Sequence, residues 1–237
     1  MEEPEKIIDF IKKYFSNIKK KRLAGKKILV TAGPTIEPID PVRYITNHST
    51  GKMGYAIAEE LAGRGMEVIL ISGPVSLQAR NPNITVIPVT TADEMYRMSV
   101  KHFPSCRAAV MCAAVADYKP VQASVTKIKR KEGNVSIALQ PNKDIAAELG
   151  KMKKRNQVLV GFALETNDGI RNATGKLKKK NLDFIVLNSL ADKQACFGYD
   201  TNKITILHRG NKRKDFELKS KAEVAEDIVN EVKAICY

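Results

Sequence analysis

Lysines and small polar side chains, not histidines or cysteines, are the residues of this chain whose types and spacing point to chemistry. Between Gly33 and Gly54 the stretch GPTIEPIDPVRYITNHSTGKMG gathers hydroxyls at Thr46, Ser49 and Thr50, an amide at Asn47 and an ammonium at Lys52, with Gly51 beside a predicted helix start. Donors of this kind suit an anion or an acyl phosphate at a helix N-terminus. Farther on, Lys127, Lys129, Arg130 and Lys131 crowd into one run soon after Asp117, and Lys176 and Lys180 stand four residues apart on a predicted helix. That spacing turns both ammonium groups to one side, as phosphate ligands require. A plainer reading stands beside this one: the first loop caps its own helix, and the basic run is a solvated face.

The elements that would position these groups follow from hydrophobic patterning. Lys26 to Ala32 reads as a strand covered on both faces of a parallel sheet, and Met53, Ile57 and Leu61 mark the helix after it. The loop between them lies where an α/β sheet meets a ligand, at a strand's carboxyl edge. It is neither of two familiar phosphate loops. Gly51-Lys52 is preceded at the required spacing by Thr46 and followed by Met53, which breaks the P-loop pattern, and Gly33-Pro34-Thr35 breaks the dinucleotide fingerprint.

Further strands are predicted at Glu67–Ser72, Ile84–Val89 and Ala108–Val115, with a capping box at Thr91 and Glu94 opening a helix to Lys101. Right-handed crossovers then bring the ends of the first and fourth strands to the same edge. Asp117 emerges there, either to bond a neighbouring backbone or to meet a nucleotide's sugar, base or magnesium. Val121 to Asn134 reads as a mobile phosphate-clamping flap, and Val135–Leu139 is expected to pair with Val125–Lys129 as a small antiparallel excursion. Gln140 to Asp144 starts a helix with free amides. Strands at Val158–Phe162 and Phe184–Leu187 flank a helix from Asp168 to Lys180 that buries Ile170, Ala173 and Leu177. A hairpin of Lys203–Leu207 and Asp215–Leu218 turns at Arg209-Gly210-Asn211, after a turn at Phe197 to Asp200. A second capping box, Ser220 and Glu223, opens a last helix with Val224, Ile228, Val232 and Ile235 facing inward.

Composition sets the outer bounds. The 237 residues carry a net charge of +14, which calls for anionic partners. Nucleic acid is disfavoured, because the chain has no tryptophan, its lysines are scattered, and no reader motif occurs. No apolar run reaches the length of a membrane span and no secretory segment opens the chain, so a cytoplasmic protein is expected. The cysteines Cys106, Cys112, Cys196 and Cys236 lack metal spacing and are expected to be reduced, with Cys112 buried in a strand. His48, His102 and His208 are too dispersed for zinc, so no metal is expected from a protein cluster. Residues 1–25 read as an amphipathic helix, Glu5 to Lys19, and a basic linker, and residues 26–237 as one domain. The helix could pack on the core, pair with a second subunit, or end a connection to another domain. An NAD(P)-dependent reductase, for which only the Tyr199 and Lys203 spacing speaks, and a nucleic-acid-binding module are the rival readings.

Taken in order, GPTIEPIDPVRYITNHSTGKMG, SGPVSL, AAVADYKP, KIKRK, the N-K-D-I segment and GFALET closely resemble the bacterial and archaeal phosphopantothenoylcysteine synthetases of coenzyme A biosynthesis. The resemblance runs from about Lys26 to the end. It implies an α/β, Rossmann-like, mostly parallel sheet with helices on both faces. It further implies a magnesium-dependent, dimeric ligase that activates 4'-phosphopantothenate with CTP to an acyl cytidylate and then couples it to L-cysteine. Matched position by position, Asn47 would handle the acyl cytidylate and Lys127 would act at the phosphates from the flap. Asp117, Asn142, Lys143, Asp144, Ile145, Phe162, Lys176 and Lys180 would contact the nucleotide. Gly33, Ser49, Gly51, Lys52 and Ala114 are candidates for contact with the phosphorylated acid. Lys143 stands where the family has proline, which bears on the helix start there. Such domains are often fused behind a flavin-dependent decarboxylase, so a partner of that kind, in cis or in trans, is implied.

Overall fold

Runs of aliphatic residues that alternate toward two different cores build the centre of this chain, because a parallel strand covered by helices on both faces has no polar side. The computed structural model describes residues 8, 25–130, 133–189 and 198–236. The predicted helix from Glu5 to Lys19 and its linker, together with Lys131, Cys196 and Phe197, lie outside the described residues.

In chain order the strands are β1 (Lys27–Ala32), β2 (Ile36–Pro38), β3 (Tyr44–Thr46), β4 (Glu67–Ser72), β5 (Ile84–Pro88), β6 (Ala108–Met111) and β7 (Tyr118–Pro120). They continue with β8 (Leu139–Pro141), β9 (Val158–Glu165), β10 (Phe184–Ser189), β11 (Thr201–Asn202), β12 (Thr205–His208), β13 (Arg213–Asp215) and β14 (Lys219–Ser220). The helices are α1 (Lys52–Gly63), α2 (Ala92–His102), α3 (Ile145–Met152), α4 (Gly169–Lys179) and α5 (Lys221–Cys236).

Eight strands form one sheet in the order β13-β12-β10-β9-β6-β1-β4-β5. The six from β10 to β5 run parallel, and β12 and β13 add antiparallel at one edge. One edge is the charged Arg213-Lys214-Asp215, and the other is short and ends at Pro88. Along β1 the side chains alternate: Ile28 and Val30 join the core under α1 and α5, and Leu29 joins the core under α2, α3 and α4. The expected α/β sheet with helices on both faces is therefore what forms. No described helix is long and apolar enough to cross a membrane.

Both predicted capping boxes are present. Thr91 Oγ1 accepts from Glu94 N while Glu94 accepts from Thr91 N, and Ser220 and Glu223 exchange the same pair of bonds. Where the helices differ from expectation, the helical period explains it. Steps of four from Val224, Ile228 and Val232 lead to Cys236, so Cys236 is buried and Ile235 is not. Steps of four back from Leu177 and Ala173 lead to Gly169, which lies against Leu187, and Ile170 is left exposed.

Four departures concern the loops. The first loop is not structureless, since β2 and β3 pair within it as an antiparallel hairpin. The fourth predicted strand stops at Met111, because the amides of Ala113, Ala114 and Ala116 turn to bond Thr31, Gly33 and Thr35. The antiparallel excursion exists but pairs Tyr118–Pro120 with Leu139–Pro141, so Val125–Lys129 is not a strand. The late hairpin pairs Thr205–Leu207 with Arg213–Asp215, earlier than the predicted Asp215–Leu218.

Helix α1 can reach β1 only because its third residue lacks a side chain. A Cβ on Gly54 would lie 2.6 Å from Ala32 Cβ and 3.1 Å from Ala32 Cα. Since α1 cannot retreat without opening the core beneath Ile57 and Leu61, Gly54→Ala should cost about 1–3 kcal/mol of stability. Urea unfolding should show a lower midpoint at an unchanged slope.

Candidate active site

The chain reverses its direction of travel across the sheet at β1, which has β4 on one side and β6 on the other. At such a switch point the loops after two adjacent strands part and leave a crevice. Here the crevice is a cavity of about 780 Å³, lined by the ends of β1, β6, β9 and β10 and the first turns of α1 and α3.

One wall is the start of α1. Gly51 precedes the helix with φ 78°, a left-handed conformation that favours glycine, and no side chain caps the helix. Ser49, Thr50, Gly51, Lys52, Met53 and Gly54 line the cavity, and the first turn of α1 has no acid. Lys52 Nζ lies 2.6 Å from Asp200 Oδ1, and that pairing holds the Asp200 carboxyl below its usual range.

The second wall is the segment from Met111 to Tyr118. Hydrogen bonds tie it to the chain after β1: Ala113 N to Thr31 Oγ1 at 3.2 Å, Ala114 N to Gly33 O at 2.9 Å, and Ala116 N to Thr35 Oγ1 at 3.0 Å. Asn47 Nδ2 donates to Ala114 O at 2.9 Å. Asn47 and Gly33 therefore support this wall from behind, and neither lines the cavity; Ala114 and Asp117 do. Asp117 is exposed, and its carboxylate has no hydrogen bond or ion pair among the described residues. Cys112 also lines the cavity, and burial, partly opposed by Lys221, pushes its thiol up to about 12. Such a thiol stays protonated at neutral pH and is no nucleophile.

The third wall begins at Asn142, whose Nδ2 donates to Ala116 O at 2.9 Å while its buried Oδ1 has no partner among the described residues. Lys143 lines the cavity, with its Nζ 4.7 Å from the centre of the Tyr96 ring, a cation–π contact that ties it toward α2. Asp144 Oδ1 caps α3 through Ala147 N at 3.0 Å, so the lysine before it has not disturbed the helix start. Ile145 and Phe162 complete this side.

A row of lysines on α4 faces the cavity. Lys180 Nζ pairs with Asp144 Oδ2 at 2.9 Å, and Lys176 Nζ with Glu165 Oε1 at 2.6 Å. Burial pulls the Glu165 carboxyl up, but the bonds from Lys176 and Asn172 outweigh it and leave the group below its usual range. Lys179, three residues after Lys176, also lines the cavity and has no partner among the described residues.

The structure thus brings together Ser49, Gly51, Lys52, Ala114, Asp117, Asn142, Lys143, Asp144, Ile145, Phe162, Lys176 and Lys180. Lys127 is exposed and outside the cavity lining. Four lining residues escaped the sequence reading: Lys179, Asn188, Asn202 and Lys221. Lys179 had a signal, its place in the KLKKK run. The other three had none, because Asn202 and Lys221 are brought in by the pairing of β11 with β14, and Lys221 Nζ bonds Tyr199 O.

A family model described as the DNA/pantothenate metabolism flavoprotein C-terminal domain matches residues 23–236. A curated relative from an unknown prokaryotic organism, named cysteine/cysteine sulfinic acid decarboxylase, is 52% identical over 100% of this chain and 67% of its own length. The coenzyme A biosynthesis bifunctional protein CoaBC of Bacillus subtilis (strain 168) is 42% identical over 99% of this chain, which spans 58% of that relative. Among solved structures, the C-terminal domain of a coenzyme A biosynthesis bifunctional protein CoaBC superposes with TM-score 0.76 at 38% identity, covering 90% of this chain and 96% of that one.

The cavity's one unpaired lysine among the described residues should carry weight in anion binding. Lys179→Ala should weaken pyrophosphate binding by about tenfold, the loss expected for one charge-assisted contact. Lys178→Ala, on the same helix but off the cavity, should change it little. Titration calorimetry on the two variants makes the comparison.

Proposed function

The chain belongs to the family of the DNA/pantothenate metabolism flavoprotein C-terminal domain, and on that premise we propose that it is a ligase of coenzyme A biosynthesis. It joins 4'-phosphopantothenate to L-cysteine, with CTP driving the reaction through an acyl-cytidylate intermediate and loss of pyrophosphate and then CMP. The observation that carries this reading is that one cavity collects two sets of anion donors from helices on opposite faces of the sheet. The lysine row of α4 suits a triphosphate. The open amides of α1 with Lys52 suit a second, smaller phosphate. A ligase of two phosphorylated reactants needs both.

The residues divide the work accordingly. Lys176, Lys179 and Lys180 meet the charge that develops as pyrophosphate leaves, in a site already arranged to receive it. Asn142 and Phe162 lie where the base and sugar would sit, and the orphan Oδ1 of Asn142 is an acceptor for a donor on the base. The Ser49–Lys52 corner orients the phosphorylated acid so that its carboxylate meets the α-phosphorus in line. Asn47 steadies Ala114, beside which the acyl cytidylate would form, and Lys127 serves the phosphates from the segment beyond β7.

Magnesium that accompanies a nucleoside triphosphate needs one or two carboxylates, with phosphates and water completing its shell. Asp117 fits that need, because its carboxylate is the open one on the cavity wall while Asp144 is engaged by Lys180 and Ala147. The ion would supply charge neutralisation at the phosphates. The relatives named above extend beyond the aligned region, which supports a flavin-dependent decarboxylase as partner, in cis or in trans, and a cytoplasmic setting. A homodimer is supported by exposed apolar side chains on the β2–β3 hairpin and the neighbouring excursion, Val42, Tyr44, Tyr118, Val121, Val125 and Leu139.

The reaction is tested by pyrophosphate release from 4'-phosphopantothenate with each of the four nucleoside triphosphates, with and without cysteine. CTP should give the fastest release, a single burst without cysteine and steady turnover with it. Release that ignores 4'-phosphopantothenate under every nucleotide would refute the proposal. Sedimentation should give twice the chain mass, and Tyr44→Glu should shift it to one.

A further inference from the structure

Five hydrogen bonds converge on the carboxylate of Asp40, at the tip of the β2–β3 hairpin. Its side chain is 0% exposed, although it belongs to a surface hairpin. Oδ1 accepts from Val42 N and Arg43 N at 2.8 Å each, which folds the tip into a tight turn. Oδ2 accepts from the Arg43 guanidinium through Nε at 3.0 Å and through Nη2, and from Ile128 N at 3.1 Å.

Arg43, oriented in this way, donates from Nη2 to Ile128 O at 2.7 Å. Acid and base together therefore hold both polar groups of one residue, as a neighbouring strand would, in a segment that belongs to no strand. A second tether, Ser124 N to Ile39 O at 2.9 Å, fixes the same segment four residues earlier. Lys127 lies between the two tethers, with its side chain exposed. A buried carboxylate is costly unless donors surround it, so an acid placed here is explained by what it grips.

We propose that Asp40 is a positioning residue for the reaction, its carboxylate gripping Ile128 and, through Arg43, fixing where Lys127 is presented. This rests on the ligase reading for the role of Lys127. The grip itself does not. The hairpin also reports to the rest of the site: Glu37 on β2 accepts from Ala92 N at the start of α2 at 2.8 Å. Lys119, at the root of the excursion, pairs with Asp93 of the same helix. The segment bearing Lys127 is thus mounted on α2 and on the hairpin, and Asp40 is the joint between them.

Two variants test the proposal. Asp40→Asn removes the charge, and Ile128→Pro removes the gripped N–H while leaving the hairpin intact, which guards against a misfolded first variant. In both, kcat should fall by about tenfold to a hundredfold, the usual penalty for a misplaced catalytic group, while KM for CTP stays within about twofold because the cavity is untouched. Limited trypsin digestion should cut after Lys127 several-fold faster than in the unaltered chain, with thermal unfolding of Ile128→Pro unchanged. Faster cutting with normal kcat would overturn the positioning role, and unaltered cutting in Ile128→Pro would overturn the grip. If the unaltered chain folds but turns nothing over, the ligase reading fails and the digestion still decides the grip.

Discussion

The cavity exists because backbone groups released at the end of β6 are bonded by the chain leaving β1. Buried amides must be paired, and beyond the last ladder position the sheet no longer pairs them. Thr31 Oγ1, Gly33 O and Thr35 Oγ1 take the amides of Ala113, Ala114 and Ala116, while Thr35 N and Asn47 Nδ2 both reach Ala114 O. The small residues of the AAVAD run permit this, since larger side chains would hold the two segments apart. Every other wall is hung on that seam: Asn142 bonds Ala116 O and Asp117 O, and Asp144 leads from there into α3.

The electrostatics of the site are less simple than a net charge of +14 suggests. Of the six lysines lining the cavity, Lys52, Lys176 and Lys180 hold carboxylates, Lys143 rests on Tyr96, and Lys221 bonds a carbonyl. These carboxylates keep the ammonium groups aimed without a ligand. Partly exposed ion pairs are worth only about 0–1 kcal/mol each, so an arriving polyphosphate, with more charge and more acceptors, exchanges for them at little cost.

What the sequence made legible was whatever is encoded locally. The parallel strands announce themselves as aliphatic runs, and Thr91 with Glu94 or Ser220 with Glu223 specify helix starts within four residues. The hairpin of β2 and β3 does not, because its strands are three residues each, interrupted by Pro38 and Pro41, and show no alternation. Its stability lies in contacts distant in sequence, such as Glu37 with Ala92 and Asp40 with Ile128. The same reason hid Asn202 and Lys221, and it moved the excursion's pairing to its root. Lys127 was legible as a charge, whereas its location depends on a grip spelled more than eighty residues earlier.

The two margins of the main sheet bear on how copies of this chain can meet. One ends in Arg213-Lys214-Asp215, all exposed, and the other is a five-residue strand closed by a proline that has no amide to offer. Neither invites a ninth strand from a neighbour, by charge at one margin and by lack of a donor at the other. Association is thereby steered away from open-ended stacking of sheets, and the apolar hairpin and excursion are left as the surface where a closed, finite assembly can form.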